Sequence, residues 1–218
     1  MLNALLLALK VIPTVFMALF PVVNPIGTAL ILSGMTSGTD ARVWKVTSRK
    51  ISLYSFLVLS FFYCFGYLIL KLFGITIPVV QVSGGLVLAV MGWQMLNGSS
   101  GDGQASGSGQ HEANASVIGK TFYPFTFPLT VGPGGLAIAM TFGAHLRRGG
   151  GVVMAEYLAG IAGIFAICAT VYLCYANLQY INKKIAPAAV QAISKMLAFF
   201  VICIGVEIFW EGVQALKG

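Results

Sequence analysis

The chain has 218 residues, of which 58% are hydrophobic and only 9% are charged, and its mean hydropathy is +0.89. Soluble domains carry roughly 25% charged residues, so this composition is incompatible with an ordinary soluble domain and predicts a membrane protein. The formal net charge of +7 comes from basic residues that cluster in the loops of such a protein, where they orient membrane helices. We therefore expect a lipid bilayer as partner, and no nucleic acid.

Six apolar segments are long enough to cross a membrane, which requires about 20 residues each. Charge-free runs lie at 11–39, 51–70, 72–101, 121–144 and 157–182. A sixth stretch, 188–213, is apolar apart from Lys195, Glu207 and Glu211. The sequence thus predicts an all-α membrane protein with six transmembrane helices.

The first helix contains a Pro/Gly cluster. It is predicted to begin near Leu5, to break at Asn24-Pro25 and to resume as a half-helix to about Met35. Proline removes a backbone donor and glycine adds conformational freedom. Non-helical backbone persists in hydrocarbon only inside protein or against an aqueous cavity, so this break marks a candidate site.

A flexible linker is predicted near the middle of the chain. Two further helices, one over about 46–73 and one opened by Pro78, precede the Gly/Ser-rich, low-complexity residues 98–119. We therefore divide the chain into a three-helix repeat at 1–97, a linker at 98–119 and a second three-helix repeat at 120–218.

The fourth helix carries a second break. It is predicted to start near Thr121, to break over 129–135 and to resume to about Ala144, followed by a fifth helix at about 152–177 and a sixth after Pro187. Paired breaks at corresponding places in two halves point to the substrate site of a transporter. The alternative is that the prolines only kink two helices for packing.

Two short matches relate the halves of the chain. Pro25-x-Gly27 recurs as Pro133-x-Gly135 at an offset of 108, and the pattern beginning at Gly92 recurs from Gly205 at an offset of 113. Because each repeat has three helices, the second repeat enters the membrane from the opposite side. We therefore predict a 3+3 inverted repeat with discontinuous helices 1 and 4, the architecture associated with alternating access.

Loop charges predict that both termini lie outside the cytoplasmic membrane of a prokaryote. With the N-terminus outside, the inside loops carry seven basic residues and the outside loops carry four. Cytoplasmic loops are the ones that carry the excess of Lys and Arg. The seven are Arg42, Lys45, Arg49, Lys50, Lys120, Lys183 and Lys184.

The candidate substrate site lies between the two breaks. A half-helix that starts inside the membrane presents free N–H groups and the positive end of its dipole, whereas one that ends there presents free carbonyls. A zwitterionic amino acid satisfies both. The carboxylate end is assigned to Asn24, Gly27, Thr28, Gly134 and Gly135. The ammonium end is assigned to carbonyls of Val22, Val23, Leu129 and Thr130, and Pro25, Gly132 and Pro133 complete the site.

Glu207 is the acidic residue predicted to lie furthest inside a span, where a charge costs about 2.5–3.5 kcal/mol or more. It is a candidate for proton or ion coupling, or else lies near the outer interface with Glu211. The chain has no catalytic or nucleotide-binding motif and no metal-ligand cluster. We therefore expect no enzyme activity, cofactor or metal, and transport would use an H⁺ or Na⁺ gradient or run downhill.

These motifs resemble the MarC/SnatA family of six-helix membrane proteins, also described as neutral amino acid transporters. Asn24-Pro25-x-Gly27 resembles the first family signature and the run 128–134 the second, with supporting matches at 73–78 and 205–209. Gln81 and Lys195 depart from it, because the family pattern has arginine at both places.

The resemblance implies a secondary transporter for small neutral amino acids such as glycine or alanine. One alternative is an exporter or a channel for another small solute or ion, and another is a membrane scaffold that transports nothing. Homo-oligomerisation, the direction of transport and the coupling ion are left open by the sequence.

Overall fold

The computed structural model describes residues 2–36, 39–97, 115, 117–148, 154–178 and 187–217. Within these ranges the regular structure is helical. Its eight helices are α1 Leu2–Val23, α2 Pro25–Met35, α3 Ala41–Leu72, α4 Ile77–Asn97, α5 Thr121–Thr130, α6 Pro133–Arg148, α7 Met154–Ala176 and α8 Pro187–Lys217.

Five helical segments of the described chain are long and apolar enough to cross a membrane, and α5 with α6 supplies a sixth if the bent pair is one span. The first segment, Lys10–Ala29, runs through the break between α1 and α2, whereas α5 and α6 are bent by 68°. The prediction of an all-α, multi-pass membrane protein is confirmed.

Helix α3 shows how the sequence sorts residues between the bundle interior and its outer surface. Ile51, Ser55, Leu59 and Tyr63 recur at every fourth position and are buried. Large apolar residues point outward on the other side of the same helix: Leu53, Leu57, Phe61, Phe65 and Leu68. Such a helix, apolar all round, is typical of a membrane span whose outer face meets lipid.

The most extensive helix contact is between α4 and α8, which pack antiparallel through glycines. A Cβ placed on Gly205 would lie 2.6 Å from the backbone nitrogen of Ala89 and 2.7 Å from the carbonyl oxygen of Gly85. A Cβ on Gly92 would lie 2.8 Å from the carbonyl oxygen of Ala198. The backbones are therefore in direct contact, as small residues permit in membrane helix pairs.

The α4–α8 contacts follow the repeat offset of 113. Under that offset the pair Gly85–Gly205 corresponds to Ala198–Gly92, and both pairs are in contact. The other helix contacts correspond between the two halves in the same way. The contact of α1 with α7 corresponds to the contacts of α5 and α6 with α3. The contact of α4 with α6 corresponds to the contacts of α1 and α2 with α8.

The predicted linker 98–119 needs one correction. Residues 98–114 and 116 lie outside the described residues, but 117–119 form a helical turn that leads into α5. Val117 is buried in the core, and the carbonyls of Val117 and Ile118 accept hydrogen bonds from the Thr121 hydroxyl at 3.3 and 2.8 Å. The apolar pair Val117-Ile118 therefore belongs to the folded second half.

Candidate functional site

The first break is a single residue, Asn24, in the left-handed conformation at φ 43° and ψ 63°. Asparagine tolerates this conformation better than other residues with a side chain. Its Oδ1 accepts a hydrogen bond from the Gly27 N–H at 3.1 Å, and Pro25 occupies the first helical position of α2. This is a standard N-cap, so the start of α2 is already capped by its own chain.

Backbone hydrogen bonds continue across the first break. The Asn24 N–H donates to Phe20 O and the Thr28 N–H donates to Asn24 O, both at 2.9 Å. The Thr28 hydroxyl donates to the Val23 carbonyl oxygen at 3.1 Å. The expectation that the Val23 carbonyl is free is therefore wrong for this conformation, because a side chain five residues along the chain satisfies it.

The second break is longer and is wound differently. Helix α5 is a π-helix with non-helical backbone at Tyr123 and Phe127, and an extended residue, Val131, separates it from α6. The Thr130 hydroxyl donates to Phe125 O at 2.6 Å, which repeats the five-residue spacing of the Thr28 bond. Near both breaks, a threonine hydroxyl thus donates to the carbonyl oxygen five residues earlier.

The structure brings the two breaks together. A Cβ placed on Gly134 would lie 3.4 Å from Cγ1 of Val22, so the end of α1 lies against the start of α6. The hydroxyls of Thr130 and Tyr175 are 2.9 Å apart, and the Thr28 side chain lies close to the same tyrosine. One buried tyrosine of α7 therefore pairs with the second break and lies beside the first.

Tyr175 is a site residue that the sequence reasoning missed, because it lies in an apolar helix without a break. Its side chain is fully buried, and its carbonyl oxygen accepts a hydrogen bond from Trp44 Nε1 at 2.7 Å. The Trp44 ring packs edge-on against Phe125 at 6.4 Å between centroids. Helices α3 and α5 thus hold Tyr175 in place.

The start of α6 lacks the cap that α2 has. Gly132 precedes Pro133 and has no side chain that could accept from the first turn. Helical geometry leaves the N–H groups of Gly134 and Gly135 without an acceptor inside α6, and both residues are buried. Of the two half-helix starts, α6 is the one whose preceding residue supplies no side-chain cap.

Ser55 is a second residue that the sequence reasoning missed. It is buried, and its hydroxyl has no hydrogen-bond partner among the described residues, whereas Ser48 and Ser83 donate to carbonyls four residues earlier. Ser55 is one turn before Leu59, whose Cδ2 is the atom nearest to a Cβ placed on Gly135. Residues four apart share a helix face, so Ser55 lies on the face of α3 toward the start of α6.

The predicted site residues are mostly buried. Val23, Asn24, Pro25, Gly27, Thr28, Thr130, Gly132, Gly134 and Gly135 are buried, Val22 and Leu129 are half-buried, and Pro133 is exposed. The assignment of the Thr28 side chain to the substrate carboxylate is corrected, because in this structure its hydroxyl donates to the Val23 carbonyl oxygen. The structure is therefore closed at the breaks.

The acidic residues of α8 lie outside the two breaks. Glu207 is exposed on the bundle surface, which argues against a proton relay through the protein interior at this residue. Glu211 accepts a hydrogen bond from Nε2 of the buried Gln81 at 3.4 Å. Position 81, which departs from the family pattern, thus keeps an acidic neighbour on the facing helix.

Alanine substitutions should separate Gly134 from Gly135. A Cβ on Gly134 would overlap the fully buried side chain of Leu88, whereas one on Gly135 would meet only Leu59, at 3.9 Å. We expect Gly134→Ala to lower the free energy of unfolding by about 1–3 kcal/mol, the usual cost of overpacking. Gly135→Ala should leave it nearly unchanged. Thermal unfolding of both variants in detergent tests this, and equal stabilities would contradict the described packing.

Comparison with known proteins places the chain in a family. A family profile described as "MarC family integral membrane protein" matches residues 9–216. The chain is 28% identical over 202 residues to the membrane protein YvbG of Bacillus subtilis (strain 168), covering 93% of each chain. It is 26% identical over 208 residues to the inner membrane protein MarC of Salmonella typhimurium (strain LT2), covering 94% of each. No solved structure matches the chain. Because the family profile spans nearly the whole sequence, the protein belongs to the MarC family of integral membrane proteins.

Proposed function

We propose that this protein is a secondary transporter for small neutral amino acids, such as glycine and alanine, in the cytoplasmic membrane of a prokaryote. The observation that carries the proposal is the meeting of the two helix breaks, at Val22 with Gly134 and at the Tyr175 hydroxyl. Broken helices at an interface of two repeats are the common construction of substrate sites in secondary transporters.

Alternating access requires two halves that can rock against each other. The packing of α4 on α8 obeys the repeat offset, and the remaining helix contacts exchange in the same way. These contacts support an inverted repeat, with each half presenting one break to the other. We assign the driving force to an H⁺ or Na⁺ gradient, or to the substrate gradient itself.

The carboxylate of the substrate would bind at the start of α6. The uncapped N–H groups of Gly134 and Gly135 and the positive end of the helix dipole favour an anionic group there. The unpaired hydroxyl of Ser55 would add a third donor from α3. At α2, where Asn24 Oδ1 already caps the helix, the Asn24 amide N–H₂ remains available.

The ammonium group would bind backbone carbonyls. Pro25 and Pro133 have no N–H, so the carbonyls four residues earlier, on Pro21 and Leu129, lose their helical donors. Neither break contains a charged side chain. Charge would therefore be compensated by backbone dipoles, which suits a zwitterion without a side-chain charge.

The size of the substrate would be limited by packing at the glycines. Leu88 and Val22 close the space at Gly134, and the space at Gly135 accommodates about one methyl group before Leu59 is reached. Any amino acid therefore requires the helices to separate at the breaks. Glycine, alanine and serine require the smallest separation, and leucine and phenylalanine require a larger one.

The test is ligand-dependent stability together with uptake. Purified protein in detergent should be stabilised by glycine, alanine or serine, by about 2.7 kcal/mol at 100 times Kd. Acetate and methylammonium, which each carry one end of glycine, should stabilise far less. Liposomes containing the protein should take up labelled glycine with saturation.

A lack of stabilisation by every amino acid, together with a lack of uptake, would overturn the proposal. Uptake that does not saturate and shows no stimulation by glycine on the far side would instead indicate a channel. Stabilisation by acetate alone would indicate an anion site and would contradict the zwitterion assignment.

A further inference from the structure

Tyr175 has a counterpart in the first repeat. Tyr63 precedes it by 112 residues, a spacing that lies between the two repeat offsets of 108 and 113. Tyr63 lies in α3 and Tyr175 in α7, which are the second helices of the two repeats. Both side chains are almost completely buried, with relative exposures of 1% and 0%. The repeat therefore places one buried tyrosine in each half.

The two tyrosines differ in their hydrogen bonds. The Tyr175 hydroxyl pairs with the hydroxyl of Thr130, in the second break, at 2.9 Å. The Tyr63 hydroxyl is buried and has no hydrogen-bond partner within the part of the chain that the structure describes. A buried hydroxyl without a partner is costly, so a conformation in which Tyr63 gains a partner is favoured by that amount.

The tyrosines also lie toward opposite ends of the bundle. The Tyr175 carbonyl is held by Trp44, in the first turn of α3 beside the exposed Arg42 and Lys45. Tyr63 lies 19 residues further along α3, which corresponds to about 28 Å at 1.5 Å per residue. That distance is close to the roughly 30 Å thickness of the hydrocarbon core.

We propose that Tyr175 and Tyr63 are the two gates of the carrier, one at each end of the substrate path. In the conformation described here the Tyr175 gate is closed, because its hydroxyl is paired with Thr130 of the second break, and the Tyr63 hydroxyl is unpaired. In the opposite conformation Tyr175 releases Thr130, and Tyr63 takes up a hydrogen bond. This inference rests on the proposed alternating access and adds the residues that control it.

The experiment measures access to position 135 from one face of the membrane. Gly135→Cys places a thiol between the breaks at a position with room for a Cβ. A membrane-impermeant thiol reagent is applied to intact cells and to inverted vesicles, and modification at position 135 is quantified by peptide mass spectrometry. Arg42→Cys, at an exposed residue, identifies the face on which Tyr175 lies.

The two phenylalanine variants, each made in the Gly135→Cys background, should have opposite effects. Tyr175→Phe removes the closed gate, so labelling of the thiol at position 135 from the residue-42 face should rise about threefold to tenfold, as one lost hydrogen bond implies. Tyr63→Phe should lower this labelling, because it removes the hydroxyl that favours the opposite conformation. The double variant Tyr175→Phe, Tyr63→Phe should return the labelling toward the value of the Gly135→Cys parent. Tyr172→Phe, at a half-buried tyrosine on α7, is the matched control and should change nothing.

Equal or same-direction effects of Tyr175→Phe and Tyr63→Phe would overturn the gates. If Tyr175→Phe does not yield folded protein, Thr130→Val removes the other half of the pair and should also raise labelling. The labelling needs no substrate, so it is independent of the glycine-uptake test. Opposite labelling shifts without glycine uptake would support the gates and reject the amino acid assignment. Glycine uptake with unchanged labelling would support the amino acid assignment and reject the gates.

Discussion

Gly205→Val should prevent stable assembly of the helical bundle. The valine Cβ would lie within 2.7 Å of backbone atoms of Ala89 and Gly85, and a backbone cannot move aside as a flexible side chain can. Helices α4 and α8 would have to separate along the most extensive contact in the protein. We expect a loss of about 3 kcal/mol or more, the upper end of overpacking costs.

Size-exclusion chromatography and thermal unfolding in detergent measure this effect. The matched control is Gly119→Val, because a Cβ at Gly119 meets no atom within 4 Å. Gly85→Val, on the other side of the same contact, should behave like Gly205→Val. An unfolding temperature of Gly205→Val equal to that of the control would show that α4 and α8 are not packed backbone to backbone.

Asn24→Leu should abolish glycine uptake and also destabilise the protein. Leucine loses the N-cap, which costs about 0.5–2 kcal/mol, and is strained in a left-handed conformation by about 1–2 kcal/mol. The φ of 43° and the bond to Gly27 give Asn24 a structural role as well as the proposed ligand contact. Loss of uptake in this variant therefore cannot assign a ligand contact.

Asn24→Gly separates the two roles. Glycine adopts positive φ freely and costs only a few tenths of a kcal/mol at an N-cap, so the variant should unfold close to the wild-type temperature. It lacks the amide that we assign to the substrate carboxylate, and its glycine uptake should fall about tenfold or more, as loss of a hydrogen bond to a charged group implies. Wild-type uptake by Asn24→Gly would show that Asn24 is only a helix cap.

Much of the fold could be predicted from the sequence because membrane helices carry strong signals. Runs of about 20 apolar residues gave the spans, and Pro25 and Pro133 occupy the first positions of α2 and α6, where proline is favoured. The offset of 113 between Gly92 and Gly205 was read from five-residue patterns, and the α4–α8 contacts follow it.

The rest depended on details that residue patterns do not encode. Whether a carbonyl near a break stays free depends on which side chain turns toward it, and Thr28 and Thr130 donate to the carbonyls of Val23 and Phe125. Tyr175 lies in a helix without a break, so its role follows only from the packing of α7 against both breaks. The predicted linker at 98–119 follows from its Gly/Ser-rich composition. Composition over such a window does not separate a short apolar pair such as Val117-Ile118 from the linker.

The length of α3 sets the depth of the whole bundle. Its 32 residues extend about 48 Å, considerably more than the roughly 30 Å of hydrocarbon in a bilayer. The charge-free residues 51–70 match the hydrocarbon thickness, which leaves the first ten residues of α3, with the basic Arg49 and Lys50, at the level of the charged headgroups. Trp44 and the Tyr175 backbone bound to it then lie at the level where tryptophan and tyrosine are enriched in membrane proteins. The backbone of the tyrosine that pairs with Thr130 is thus anchored near the membrane surface.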